Sequence, residues 1–265
     1  MKYWTHESTD SVKQLRKKLD NFYQSSNNGY SAFESISSQN IYWDIVIDKI
    51  RIKLKNQNKL EILEFGAGKT GFPLALDDLR KFVNFTAQDV TNLNLEHLTK
   101  VSDNVYIGDI NKISGSFDII FSTFVWEHIT NPQETLDSLL KHLKPNGSLF
   151  IFSPRYDWPG YIPPALRHLK LWKAMYLSFR LVSRRLFPLQ FQHNSFLIVL
   201  DPAVFHAKKW FRDSDAIHLV SRHDIKNYLT NKNTIWHDCY PKKTSYKAKI
   251  MERLMKLCIE IIKKQ

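Results

Sequence analysis

The sequence predicts an α/β fold, a doubly wound and mostly parallel sheet with helices on both faces. Three observations carry that expectation. From Lys59 onward, short apolar runs alternate with amphipathic ones, the rhythm that produces parallel strands linked by helices. The short runs are apolar at nearly every position, as strands covered on both faces must be. The chain is also long enough, at 265 residues with 43% hydrophobic and 13% aromatic content, to bury a sizeable core.

The elements follow in order. Residues 8–55 read as helical, with Leu15, Leu19 and Phe22, then Ile41, Trp43, Ile45, Val46 and Ile50, spaced along apolar faces. The stretch SSNNGYS at 25–31 divides this segment in two. LEILEF (60–65), NFTAQDV (84–90), VYIGDI (105–110), FDIIFST (117–123) and GSLFIFSP (147–154) read as five strands. Between them, FPLALDDLRKF (72–82), NLNLEHLTKV (92–101) and PQETLDSLLKHLK (132–144) read as helices. After Pro154 the rhythm stops, and ALRHLKLWKAMYLSFRLVSRRLF (165–187) reads as a basic amphipathic helix. It resumes with a helix at 221–230, N-capped by Ser221, and a strand at TIWHDCY (234–240). The chain then ends in KAKIMERLMKLCIEIIKKQ, which reads as a second basic amphipathic helix. Four regions are therefore expected. They are an N-terminal helical segment (1–58), an α/β core (59–154), a basic, mostly helical cap (155–220), and the end of the core with its C-terminal helix (221–265).

Charge is distributed unevenly. From Arg155 onward there are 21 Lys and Arg against 8 Asp and Glu, whereas the first 154 residues hold 17 basic and 18 acidic residues. The second part of the chain is thus expected to face something anionic. Cys239 and Cys258 have neither metal spacing nor a disulfide framework. The opening residues MKYWTHESTD lack a secretory leader's layout, and no window is long and apolar enough to span a bilayer. A cytoplasmic protein with reduced thiols is expected, working in part at the inner face of the membrane.

The stretch ILEFGAGKTG at 62–71 invites three readings. A phosphate-binding P-loop needs a glycine five residues before Gly68, and that position is Leu63. A nicotinamide dinucleotide fits better: Gly66, Gly68 and Gly71 form G-x-G-x-x-G after a strand, and Asp89 follows 18 residues beyond Gly71. Neither motif asks for Glu64. A carboxylate there accepts from a cationic amine, while the bare backbone at Gly66 and Gly68 and a helix N-terminus suit a carboxylate. Asp109 can accept from an exocyclic adenine amine. A nucleoside carrying an amino acid meets all these features, and S-adenosylmethionine is such a compound.

On these residues the chain resembles the class I S-adenosylmethionine-dependent methyltransferases over about residues 40–154. LEFGAGKTG is similar to the family's first motif, and FDIIFSTFVWEHI with LKPNGSLFIFSP to its fourth and fifth strands. Thr70 stands where the family often has a further glycine, and Gly71 follows. The resemblance implies a Rossmann-like core. It implies cofactor contacts from Glu64, Phe65, Gly66, Ala67 and Gly68, and from Asp89 and Val90. Asp109, Ile110, Thr123 and Phe124 complete the implied set. Some relatives hold a divalent metal through Glu-x-x-Glu-His, but Phe124 occupies the first acid's position, so no metal is expected.

Methyl transfer is an in-line displacement, so the protein supplies proximity, alignment and a base for a hydroxyl acceptor. His128, just after the fourth strand, has a reference pKa of about 6.5 and is the candidate base, with Glu127 orienting a neighbour. DSDAIHLVSRHDIKNYL (213–229) resembles the family's acid-x-x-His segment, which adds Asp215 and His218 as candidates for closing the acceptor site. His206, His223 and His237 read as ordinary. The acid-free, aromatic and basic stretch at 158–200 suits an anionic small-molecule or glycan acceptor, and peripheral contact with an anionic membrane. No RNA-binding module is recognisable, so nucleic acid ranks last. The expected reaction is O-methylation of a sugar in a surface polysaccharide or its lipid-linked precursor, with a quinone or other lipid-like acceptor as the alternative. An NAD-linked oxidoreductase is the rival from another class.

Overall fold

The computed structural model describes residues 3–4, 10–24, 40–158, 161–166, 168–186, 196–200, 216–242 and 245–265. Strands are β1 (Tyr3–Trp4), β2 (Leu60–Phe65), β3 (Val83–Asp89), β4 (Asn104–Ile107), β5 (Phe117–Thr123), β6 (Leu143–Pro154), β7 (Ile198–Val199), β8 (Thr234–Asp238) and β9 (Lys256–Lys263). Helices are α1 (Asp10–Gln24), α2 (Ile41–Lys53), α3 (Phe72–Ala75), α4 (Leu95–Val101), α5 (Pro132–His142), α6 (Leu171–Leu186), α7 (Arg222–Leu229) and α8 (Tyr246–Met255).

Seven strands form one sheet in the order β4-β3-β2-β5-β6-β9-β8. The first five run parallel, and β9 pairs antiparallel with both β6 and β8. The mostly parallel, doubly wound α/β sheet that the sequence predicts is therefore the one observed. Strand order reverses between β2 and β5, and open sheets of this kind bind ligands beyond the strand tips at such a point.

Alternate residues of each central strand enter opposite layers, as the two-residue period of a strand requires. Ile62, Ile119, Phe121, Phe150 and Phe152 join Tyr42, Trp43, Val46, Ile47 and Ile50 of α2 on one face. Leu63, Ile120, Leu149 and Ile151 pack on the other face with Leu136 and Leu139 of α5 and Ile225 and Tyr228 of α7. A third cluster joins Leu15, Leu19 and Tyr23 of α1 to Leu166, Ala174, Leu197, Ile217 and Leu219 of the cap. The expected N-terminal segment thus splits in use. Its second helix builds the sheet's covering layer, and its first belongs with the cap.

Three expectations need correction. The C-terminal basic helix ends at Met255, and residues 256–263 form β9. LCIEII alternates: Leu257, Ile259 and Ile261 enter one layer and Cys258 the other. Glu260, on the same side as Cys258, pairs with Lys49 of α2 at 2.6 Å and His237 of β8 at 2.9 Å. The β6 backbone more than 100 positions earlier completes the strand, with Phe152 opposite Cys258. The expected helix at 72–82 is one turn, α3, followed by a 3-10 segment at Asp77–Phe82, because Asp77 takes a positive φ of 47°. At the α5–β6 junction the helix stops at His142, since Leu143 already pairs with Phe117. Elsewhere the expected elements are present with shifted bounds: the cap helix starts only at Leu171, after a 3-10 turn at Pro164–Leu166, and β4 ends at Ile107. In α7, Ser221 Oγ accepts from the His223 and Asp224 N–H groups.

Ile259 is fully buried where β9 meets α5 and α7. Ile259→Ala is expected to lower unfolding stability by about 2–5 kcal/mol, read as an earlier urea midpoint with an unchanged slope.

Candidate active site

A partly open cavity lies at the C-terminal tips of β2, β3, β4 and β5. Phe65, Gly66, Asp89, Val90, Asp109, Ile110, Phe124 and His128 of the sequence-predicted residues line it. Glu64, Ala67, Gly68 and Thr123 are not among the lining residues; Glu64 and Thr123 lie at the ends of β2 and β5 next to lining residues, and Ala67 and Gly68 belong to the turn after β2.

The turn after β2 is set by backbone conformation. Gly66 and Gly68 have φ of +70° and +53°, a region costly to residues with a Cβ. A Cβ on Gly66 would stand 2.6 Å from both methyls of Val125, so the loops after β2 and β5 close only over a bare α-carbon. Phe124, also with positive φ (58°), turns the chain sharply into Val125. A bulky residue there is strained, a kind of strain that clusters at functional sites.

Gln88 braces three tips. Its Oε1 accepts from Gly66 N–H at 3.1 Å and its Nε2 donates to the Gly108 carbonyl at 2.6 Å, joining the ends of β2, β3 and β4. Asp89 accepts from Gly68 N–H at 2.7 Å and Thr91 N–H at 3.0 Å. Burial pushes its carboxyl above the usual range, and those backbone donors oppose the shift. Asp109 ion-pairs with Arg16 of α1 and accepts from Asn111 N–H, so it tethers α1 over the tip of β4.

Glu64 is 4% exposed, with β3 on one side and β5 on the other. Burial pushes its carboxyl up to about 8; the nearby Asp89 charge adds to this and the Thr70 hydroxyl opposes it. Its Oε2 has no hydrogen-bond partner, which is unusual for a buried oxygen. A cationic amine beside it would supply the missing donor and the missing charge.

On the β5 side, His128 ends a 3-10 turn (Trp126–His128), its Nε2 4.0 Å from Glu127 Oε1 and its ring edge-on to Tyr23 of α1 at 6.2 Å. Glu127 is fully buried behind the wall, with Ser153 Oγ donating to it at 2.9 Å. His218 is placed apart from the cavity. It donates from Nδ1 to the Trp126 carbonyl at 3.1 Å, between the rings of Trp126 and Phe196, and its own N–H joins the backbone to Glu127. Asp215 and His206 lie outside the described residues.

The cavity wall also contains Arg16, Leu19, Asp20 and Tyr23, with Gln88, Thr91, Asn94, Thr130, Asn131 and Thr135, none singled out from the sequence. The polar run TNLN after Asp89 is the one local signal for part of this set. Gly71 opens a helix of only four residues, so the helix N-terminus that the sequence offered to a dinucleotide or to an amino-acid carboxylate is a single turn. Among the described residues, no group of three His, Cys, Asp or Glu side chains is arranged to hold a metal ion.

A family model described as a methyltransferase domain matches residues 42–233. A protein of Rickettsia prowazekii named ubiquinone biosynthesis O-methyltransferase is 28% identical over 167 residues, 58% of this chain and 64% of its own length. The chain thus spans less than two thirds of that relative. Among solved structures, a 1,6-didemethyltoxoflavin-N1-methyltransferase of Burkholderia thailandensis, crystallised with S-adenosylhomocysteine, has a TM-score of 0.57 at 11% identity, covering 97% of this chain and 92% of that one. A plantazolicin methyltransferase crystallised with the same compound has a TM-score of 0.54 at 13% identity, covering 97% and 99%. At these identities the two structures establish the shared fold.

Two outcomes are expected of the ligand-free protein. The folded-state pKa of Glu64, about 8, lies above the ordinary 4.5, so between those values the folded chain binds more protons than the unfolded one. Stability should therefore fall as pH rises from about 4.5 to about 8, by up to a few kcal/mol, and Glu64→Gln should flatten that dependence in urea titrations. Gly66→Ala should cost about 1–3 kcal/mol from its positive φ, plus a steric part that Val125→Ala relieves, as read from the double-mutant cycle.

Proposed function

Since the chain belongs to the methyltransferase-domain family, as an enzyme dependent on S-adenosylmethionine, we propose that it methylates a hydroxyl of an aromatic, quinone-type acceptor. The observation that carries the reading is His128, on the wall of a cavity at the strand tips, with Glu127 4.0 Å behind it. The curated relatives support the acceptor class, since they are named for O-methylation in ubiquinone biosynthesis. The sugar acceptor expected from the sequence has no counterpart among them and gives way to the quinone alternative. The cavity's own chemistry agrees: Leu19, Tyr23, Phe65, Phe124, Val125 and Ile129 offer apolar and aromatic walls suited to a flat ring.

The cofactor fits the residues present. The unpartnered Oε2 of Glu64, one residue before the lining Phe65, suits its ammonium group, and the open backbone at Gly68 suits its amino-acid end. Asp89, Val90 and Ile110 would flank the nucleoside on the tips of β3 and β4. Bound there, it supplies an electrophilic sulfonium methyl. The chain's own part is to align the acceptor, keep water out and hold a proton. Neutral His128 takes the hydroxyl proton as oxygen becomes nucleophilic, and the Glu127 carboxylate favours the resulting imidazolium. Tyr23 faces the His128 ring from α1 and limits where the acceptor lies.

The test is a methyl-transfer assay with labelled cofactor, offering prenylated hydroxybenzoates and catechols beside nucleotide sugars. Label is expected in the phenols; label confined to sugars would overturn the acceptor reading. His128→Ala should lower kcat about 10²- to 10⁴-fold with little change in affinity for S-adenosylhomocysteine, as measured by calorimetry.

A further inference from the structure

The cap helix α6 faces two ways. Ala174, Ser178 and Val182 are buried on its inner side, and Ala174 belongs to the cluster that contains Leu15, Leu19 and Tyr23 of α1. Those small side chains and the partly buried Leu177 fill that inner seam. The aromatic ones point outward: Trp172, Tyr176 and Phe179, at i, i+4 and i+7, share one face and are 65%, 58% and 51% exposed. A soluble helix ordinarily shows the reverse, with aromatics inside and polar groups outside.

Charge indicates what covers this face. Lys173 lies over the Trp172 ring at 5.4 Å and Arg180 over the Tyr176 ring at 5.8 Å, so cations flank the aromatic stripe. No Asp or Glu occurs between residues 158 and 200. A protein partner with an apolar groove would match the rings but give no reason for purging every acid. Exposed aromatics bordered by cations match the boundary between anionic headgroups and acyl chains, where rings bury and basic groups meet phosphate.

The sheet's antiparallel strand extends the same edge. Because Lys256 pairs with Pro154, α8 reaches β9 at the C-terminal tips of the parallel strands, the edge that holds the cavity. α8 has no buried residue, exposes Tyr246, Ile250 and Met251, and carries Lys247, Lys249 and Arg253. Two exposed aromatic-basic helices thus accompany the edge at which an acceptor enters.

We propose that the outer face of α6, Trp172, Tyr176 and Phe179 with Lys173 and Arg180, seats the protein on an anionic lipid surface. The inner side of the same helix packs with α1 over the cavity. Seating α6 therefore brings the cavity to the bilayer, where an apolar acceptor resides. The inference concerns binding alone and does not depend on the acceptor or on turnover.

The test uses the full chain without cofactor or acceptor, sedimented at physiological salt with vesicles of phosphatidylglycerol and phosphatidylcholine, or of phosphatidylcholine alone. Association is expected with the first and much less with the second. Trp172→Ala with Phe179→Ala should weaken it at least about tenfold, from the apolar area withdrawn. Lys173→Ala and Arg180→Ala should each weaken it about fivefold on anionic vesicles. These side chains are solvent-facing, so the thermal midpoint should not move. Should a variant fail to fold, brominated lipids supply an independent reading on the native chain: they should quench its fluorescence more than that of Trp172→Phe. Absence of binding to anionic vesicles, binding unchanged by the variants, or no quenching attributable to Trp172 would overturn the proposal. So would binding of single-stranded RNA that needs the same residues while vesicles go unbound.

Discussion

A carboxylate kept from water at the tip of the central parallel strand is the constraint on which this structure turns. Glu64 has strands on both sides and a glycine turn beyond it, so solvent cannot satisfy its second oxygen. Holding it there opposes its ionisation, and folding alone gains nothing from that. The cost is offset only when a donor of opposite charge arrives. The position works as half of a binding contact, built before its partner is present.

Everything around it serves to keep the neighbouring tips together. The β2 and β5 loops meet at the point where strand order reverses, and they meet closely because Gly66 has no Cβ to strike Val125. Gln88 then replaces what a regular ladder supplied earlier, carrying hydrogen bonds from one tip to the next where the strands begin to diverge. His97 of α4 holds the same turn from outside, with its Nε2 2.7 Å from the Thr70 carbonyl. Flexible glycines are thereby made rigid by their surroundings, and rigidity is what aligned displacement requires.

Over this platform the cover is built from distant sequence. α1 contributes Arg16, Leu19, Asp20 and Tyr23 to the cavity wall, and its apolar side packs with the cap. The Arg16–Asp109 ion pair ties that cover to the tip of β4. Burial raises the Asp20 carboxyl, and Arg16 opposes the shift while Asp109 adds to it.

The alternation of apolar runs, the glycine turn with its preceding acid, and the acids ending β3 and following β4 are local patterns, and they were enough to place the parallel sheet and the floor of the cavity. Local patterns failed where a partner far along the chain decided the outcome. LCIEII suits a basic helix when read with its lysine-rich flanks, and becomes a strand because β6 and β8 offer it two ladders. His218, prominent by its motif, was drawn into the backbone support of Glu127, whereas Tyr23 and Arg16, with no motif at all, reached the cavity. Periodicity and turn chemistry belong to the sequence because neighbours alone enforce them. Which remote helix closes a site, and which apolar run completes a sheet, depends on surfaces that exist only after the chain has collapsed.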